Sequence, residues 1–128
     1  MKRYILLIFI SLLILIGGCS NYDEKTIEQL LENEDFTNLE EIIITNGSTG
    51  EIKTITDETQ IEELLSLIEN VTLYKDANQE LRDSFSYNLL FKEGSKKLSI
   101  SNSIVHDTYY TTDPDLSNIL KPFYDQLN

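Results

Sequence analysis

Apolar residues recur along this chain in two rhythms, every third or fourth position in some stretches and every second position in others. Ile27, Leu30 and Leu31 follow an i, i+3, i+4 pattern, which predicts a short helix over residues 26–33. Residues 32–35 form an acidic break, and Phe36 and Leu39 lead into Glu41-Ile42-Ile43-Ile44-Thr45. That β-branched run predicts a strand. Asn46-Gly47 follows, two residue types that accept positive φ, so a two-residue type I′ turn is expected there. Residues 49–56 would return as the partner strand, with Gly50 as a bulge. Asp57 followed three residues later by Gln60 has the form of a capping box. Ile61, Leu64, Leu65 and Ile68 then give the core-facing stripe of a helix that ends near Asn70. Residues 71–75 alternate and predict a strand; residues 76–82 read as a polar connection.

In residues 84–92, Phe85, Tyr87, Leu89 and Phe91 point one way while Ser84, Ser86 and Asn88 point the other. Glu93-Gly94-Ser95 turns the chain, and residues 97–101 return with Leu98 and Ile100 inward. Ser101-Asn102-Ser103 turns it again, and residues 104–112 are expected as one further strand. Asp113-Pro114-Asp115 has the form of a helix start, with Asp113 as cap, proline at the first helical position and an acid against the dipole. Leu116, Ile119, Leu120, Phe123 and Leu127 form the stripe of that helix, and Pro122 is expected to kink or interrupt it. The pattern as a whole predicts an α+β fold. Its antiparallel sheet would comprise an N-terminal hairpin and a C-terminal three-stranded meander, with helices packed on one face.

The N-terminal stretch has neither rhythm. Lys2 and Arg3 precede residues 4–16, apolar throughout except Ser11. A helix of that length rises only about 20 Å, short of a bilayer core of roughly 30 Å, so it reads as an export leader and not as a span. Gly17 and Gly18 follow, and then Cys19. Ile16-Gly17-Gly18-Cys19 resembles the lipobox of bacterial lipoproteins, with Ile16 where leucine is commonest. The resemblance implies cleavage between Gly18 and Cys19, lipid on the Cys19 sulfur, and attachment to the outer, extracytoplasmic face of the cell membrane. Cys19 is the sole cysteine, so an intramolecular disulfide is excluded. The expected organisation is a lipoprotein signal peptide over 1–18, a lipidated tether over 19–25 and one small α+β domain over 26–128.

Charge narrows the partners. Two of the ten Lys and Arg residues leave with the leader while all 22 Asp and Glu remain, so the processed chain carries a formal charge of −14. Such a surface repels nucleic acid and anionic headgroups and favours cationic partners.

The chemistry-bearing residues are sparse. His106 is the sole imidazole; with Asp107 beside it on a strand, the two would face opposite sides. No serine lies in a nucleophile elbow. Asp113 with Asp115, and Asp57 with Glu58, offer paired carboxylates, yet no twelve-residue calcium loop surrounds them, and both pairs suit helix N-termini. No catalytic residue, metal site or cofactor is therefore assigned. Tyr109-Tyr110 lies where one ring should be buried and the other exposed; the pair is taken as a contact surface.

The Ile-rich hairpin and capped helix over residues 41–67, with Tyr109-Tyr110 and the segment Leu116-Ser117-Asn118-Ile119-Leu120-Lys121-Pro122-Phe123-Tyr124, are similar to small lipoproteins of low-GC Gram-positive bacteria. That resemblance implies a fold and a location. The function expected is a non-enzymatic binding or interaction module at the cell envelope, held to the membrane by its lipid. Its partner would be an envelope protein or a cationic peptide. One alternative is an immunity-like or inhibitory lipoprotein that captures a cationic peptide or an exported hydrolase. The other is an envelope hydrolase built on His106.

Overall fold

The structure, a computed structural model, describes residues 24–81, 85–101 and 104–128. The leader with Gly18 and Cys19, the first residue of the strand expected from Ser84, and the Asn102-Ser103 turn lie outside the described residues. The described chain runs β1 (Glu24–Thr26), α1 (Ile27–Asn33), β2 (Glu41–Asn46), β3 (Ile52–Ile55), α2 (Glu58–Ile68) and β4 (Thr72–Lys75). It continues through β5 (Tyr87–Glu93), β6 (Lys96–Ser101), β7 (Ile104–Val105), β8 (Thr108–Asp113) and α3 (Leu116–Gln126). The strands form one antiparallel sheet in the order β1-β4-β8-β7-β6-β5-β2-β3. The fold is thus mixed α+β. No helix of the described residues is long and apolar enough to cross a membrane.

Register explains the core. Ile42 sits between Ile55 and Phe91, Ile44 lies opposite Leu89, and Leu98 and Ile100 continue the same rows on β6. All of these side chains are buried. The alternating positions Ile43, Leu90 and Ser99 form a second row that keeps contact with solvent. The stripes of the helices complete the same core through Ile27, Leu30, Leu31, Ile61, Leu64, Ile68, Leu116, Leu120, Phe123 and Tyr124.

Lys53 breaks the apolar row, pairing with Ile44 on the buried side of β3. Its Nζ donates to the carbonyls of Tyr124 and Leu127, both at 2.9 Å, and lies 4.1 Å from the Tyr124 ring centroid. A helix end carries unsatisfied carbonyls and partial negative charge. α3 has no basic residue in its own last turn, so β3 supplies the cation.

Several local expectations change. The turn after β2 is not a two-residue type I′ turn: Thr45 pairs with Ile52, and Gly50 N–H donates to the Asn46 carbonyl, leaving four residues, 47–50, in the loop. Asn46 Oδ1 accepts from Ser48 and Thr49 N–H and shapes the turn. Gly50 has φ +73° and closes this turn instead of bulging a strand. Gly47 is required for space: a Cβ there would stand 1.7 Å from the Phe85 carbonyl oxygen.

The two-residue turn with positive φ occurs instead at His106 (φ 47°) and Asp107 (φ 64°). It splits the single strand expected over residues 104–112 into the β7–β8 hairpin, with Val105 opposite Thr108. Short polar side chains tolerate this left-handed conformation, though less readily than glycine.

The last helix starts two residues later than expected. Asp115, not Asp113, is the cap and accepts from Ser117 N–H, while Thr112 Oγ1 accepts from Leu116 N–H. Pro114 follows a cis peptide bond in the connection. α3 is not interrupted at Pro122; buried side chains on both sides of it hold the helix through that position.

Candidate functional site

One surface feature that combines apolar and charged groups lies between α1 and α2. α1 is opened by a capping box, in which Thr26 Oγ1 accepts from Gln29 N–H and Gln29 Oε1 accepts from Thr26 N–H. Its first turn also donates from Ile27 and Glu28 N–H to the carbonyls of Val71 and Glu69. These bonds lock the start of α1 to the segment leaving α2.

The far end of α1 closes with a Schellman motif. Phe36 N–H donates to the Leu31 carbonyl and Asp35 N–H to the Glu32 carbonyl, with Asp35 at φ 62° where glycine is usual. This motif brings the residue after the reversal against the last apolar residue of the helix, so Phe36 and Leu31 lie together. Both line a groove of about 340 Å³. Leu39, Ile61 and Leu65 complete its apolar floor, and Glu28, Glu32, Glu58, Glu62 and Glu69 form its rim.

The wall over residues 36–39 is pinned to the β5–β6 hairpin. Thr37 N–H donates to Glu93 Oε1 at 3.0 Å, and Asn38 N–H donates to the same oxygen. Lys96 Nζ reaches the Asp35 carbonyl at 2.6 Å and Glu93 Oε2 at 3.4 Å. The Asn38 N–H chiefly, then the Thr37 N–H and Lys96, stabilise the charged form and hold the Glu93 carboxyl below its ordinary range, against an opposing effect of burial. Glu40 adds a second tie by accepting from Gly94 N–H.

Helical spacing produces the rim. Glu28 and Glu32 stand four apart on α1, as do Glu58 and Glu62 on α2, next to the apolar stripe in each case. Like charges at this spacing repel by a few tenths of a kcal/mol per pair. Among the described residues, none of the five rim carboxylates has an ion-pair partner, and no Lys, Arg or His lines the groove. The surface can hold apolar side chains below and cations at its edge.

The residues singled out from sequence fall elsewhere. Gly18 and Cys19 lie outside the described residues. Tyr109 is 4% exposed and cannot form a contact surface. Gln79 brackets its backbone, donating from Nε2 to the Tyr109 carbonyl and accepting from Tyr109 N–H at Oε1. Tyr110 is half-buried, with Lys25 Nζ 5.7 Å from its ring centroid. Asp57 and Asp115 cap helices, and Glu58 belongs to the groove rim. Among the described residues, no group of three or more His, Cys, Asp or Glu is arranged to hold a metal ion.

His106 projects from its turn, and its Nε2 lies 2.8 Å from Glu34 Oε1. It shares a shallow recess with Ser99, Ser101 and Asp107. The Ser99 hydroxyl donates to Asn88 Oδ1 at 2.7 Å and the imidazole faces Glu34, so that serine and that ring nitrogen are engaged with other partners.

The groove was not anticipated from sequence. Its signal was nonetheless present in the unmatched Glu28/Glu32 and Glu58/Glu62 pairs beside two apolar stripes. No family model, curated protein or solved structure matches this chain.

Proposed function

We propose that this chain is a lipid-anchored, non-enzymatic binding module on the outer face of a bacterial cell membrane, and that the groove between α1 and α2 is its ligand surface. The location follows from the resemblance of Ile16-Gly17-Gly18-Cys19 to a lipobox and from the short leader before it. The resemblance of residues 41–67, Tyr109-Tyr110 and residues 116–124 to small lipoproteins of low-GC Gram-positive bacteria supports the same location. The observation that carries the binding reading is the open apolar floor of Leu31, Phe36, Leu39, Ile61 and Leu65 beneath unpaired glutamates. In this account the helices cover one face of the hairpin-and-meander sheet, and two of them present the groove to a partner.

A photo-crosslinking residue placed at Leu65 in the lipidated protein on intact cells tests the reading. A discrete adduct is expected from position 65, absent from the exposed β3 position Ile52 and lost when Glu58→Lys and Glu62→Lys are combined. Equal adducts from positions 65 and 52, or none from 65, would contradict it.

The hydrolase reading draws on a different observation, the recess holding His106 with Ser99 and Ser101. Covalent labelling by a fluorophosphonate that disappears in His106→Ala would favour it. Unlabelled protein would dismiss a serine hydrolase at this recess.

A further inference from the structure

We infer that the occupant of the groove is a cationic amphipathic helix, met close to the membrane surface. The inference rests on the groove being the ligand surface and specifies what fits it. The floor calls for apolar side chains. A cavity of roughly 150 Å³ lined by aliphatic and aromatic groups holds one benzene-sized group. The groove, at about 340 Å³, therefore has room for two large apolar side chains. Two such side chains on one face, four residues apart, is the arrangement an amphipathic helix offers.

The rim sets length and charge. Glu58 and Glu69 bound the α2 side of the groove. At 1.5 Å per residue that edge is about 16 Å long, so roughly three turns of a partner helix lie along it. Glu28 and Glu32 flank the α1 side. A helix with its apolar face down would therefore carry Lys or Arg against carboxylates on both flanks. Each contact would relieve repulsion that the free protein carries at its Glu28/Glu32 and Glu58/Glu62 pairs. The overall negative charge of the processed chain adds long-range attraction that speeds encounter with a cation and weakens with salt.

The tether limits where this happens. Four residues lie between Cys19 and Glu24, the first residue of β1, and the five steps they make cannot span more than about 18 Å. α1 follows β1 directly, so one wall of the groove stays near the bilayer. A cationic amphipathic peptide that accumulates at membrane surfaces is the partner chemistry that reaches it there.

The test uses the full lipoprotein in non-ionic detergent, with detergent alone as blank. Three labelled synthetic peptides of about three turns are titrated by fluorescence anisotropy. One carries leucines at i and i+4 and lysines on the flanks. The second has the same composition scrambled, and the third has glutamine in place of every lysine. The first should bind more than tenfold tighter than either control and should weaken as salt rises. A Glu32→Gln/Glu58→Gln/Glu62→Gln variant should lose more than tenfold in affinity while its melting temperature changes little, because the repulsion removed offsets the negative charge lost from the first turn of α2. Leu65→Ser should lose affinity for the cationic peptide as well.

Equal binding of the scrambled peptide would overturn the helical, amphipathic assignment. Equal binding of the glutamine peptide, still sensitive to Leu65→Ser, would overturn the cationic assignment and leave the groove standing as the ligand surface. No binding by any peptide would overturn this inference, and the crosslinking comparison of positions 65 and 52 would then decide the broader reading on its own.

Discussion

Replacing Gly47 with alanine and with asparagine tests whether close approach of the backbone is what demands a glycine at that position. Its backbone approaches the segment before β5, with Gly47 N–H donating to the Ser86 carbonyl at 2.8 Å. An added Cβ would stand 1.7 Å from the Phe85 carbonyl oxygen, 2.7 Å from its carbon and 2.9 Å from Phe85 Cδ2. Two of these obstacles are backbone, so the strands must part by more than about 1 Å for any side chain to fit. Such overpacking typically costs 1–3 kcal/mol, and the lost hydrogen bond adds about 1 kcal/mol. The expected destabilisation is about 2–4 kcal/mol, or roughly 10–25 °C in a domain of this size. Gly50 provides the contrast, with φ +73° and open space around its Cβ position. Gly50→Ala should cost about 1–2 kcal/mol for the left-handed conformation, and Gly50→Asn less. Thermal melts of the four variants followed by circular dichroism measure this. Gly47→Asn should be at least as damaging as Gly47→Ala. If either substitution were tolerated at Gly47 as asparagine is at Gly50, the clash argument would fail.

Other expectations follow from the same packing. Lys53→Met should lower stability by about 1–3 kcal/mol in urea denaturation, because two carbonyls at the end of α3 lose a charged donor. Asp107→Gly and Asp35→Gly should each raise stability in urea denaturation by about 0.5–1 kcal/mol, since glycine adopts their positive φ without a Cβ penalty. Glu93→Gln should destabilise the protein at neutral pH. The folded Glu93 carboxyl titrates below its ordinary value of 4.5, so its contribution is present above that value and is lost as pH falls through the lower folded value. The gap in melting temperature between wild type and Glu93→Gln should therefore close on acidification.

Much of the fold was legible because local signals and burial agree. The stripes Ile27, Leu30, Leu31 and Ile61, Leu64, Ile68 became buried helix faces, and the alternation through Leu89 and Phe91 became a half-buried strand. Errors arose where one residue type serves two physical needs. Asn46-Gly47 carries the composition of a tight hairpin turn, yet its glycine answers a close approach from Phe85, distant in sequence. His106-Asp107 lacks the glycine such a turn prefers, so the sequence pattern predicts one strand where the chain forms a hairpin. Asp113 and Asp115 are equivalent in composition as caps, and Ser117 N–H selects the second. Of the adjacent tyrosines, Tyr109 is the buried one and Tyr110 the half-buried one, a choice their alternation leaves open, and Gln79 pairs with the Tyr109 backbone across thirty residues of chain. The groove escaped notice because its two rows of glutamate lie on helices separated by β2 and β3, and only the Schellman reversal at Asp35 and the hold of Glu93 on residues 37–38 bring the floor together.

The proposed link between groove and membrane runs through one sulfur, and the mass of the native protein tests that link most directly. Intact-protein mass spectrometry of material from its own cells should find a chain beginning at Cys19 and heavier than the bare polypeptide by a diacylglyceryl group, with the added mass on the N-terminal peptide. A chain that retains its leader, or one that begins elsewhere with an unmodified thiol, would contradict the anchored binding module.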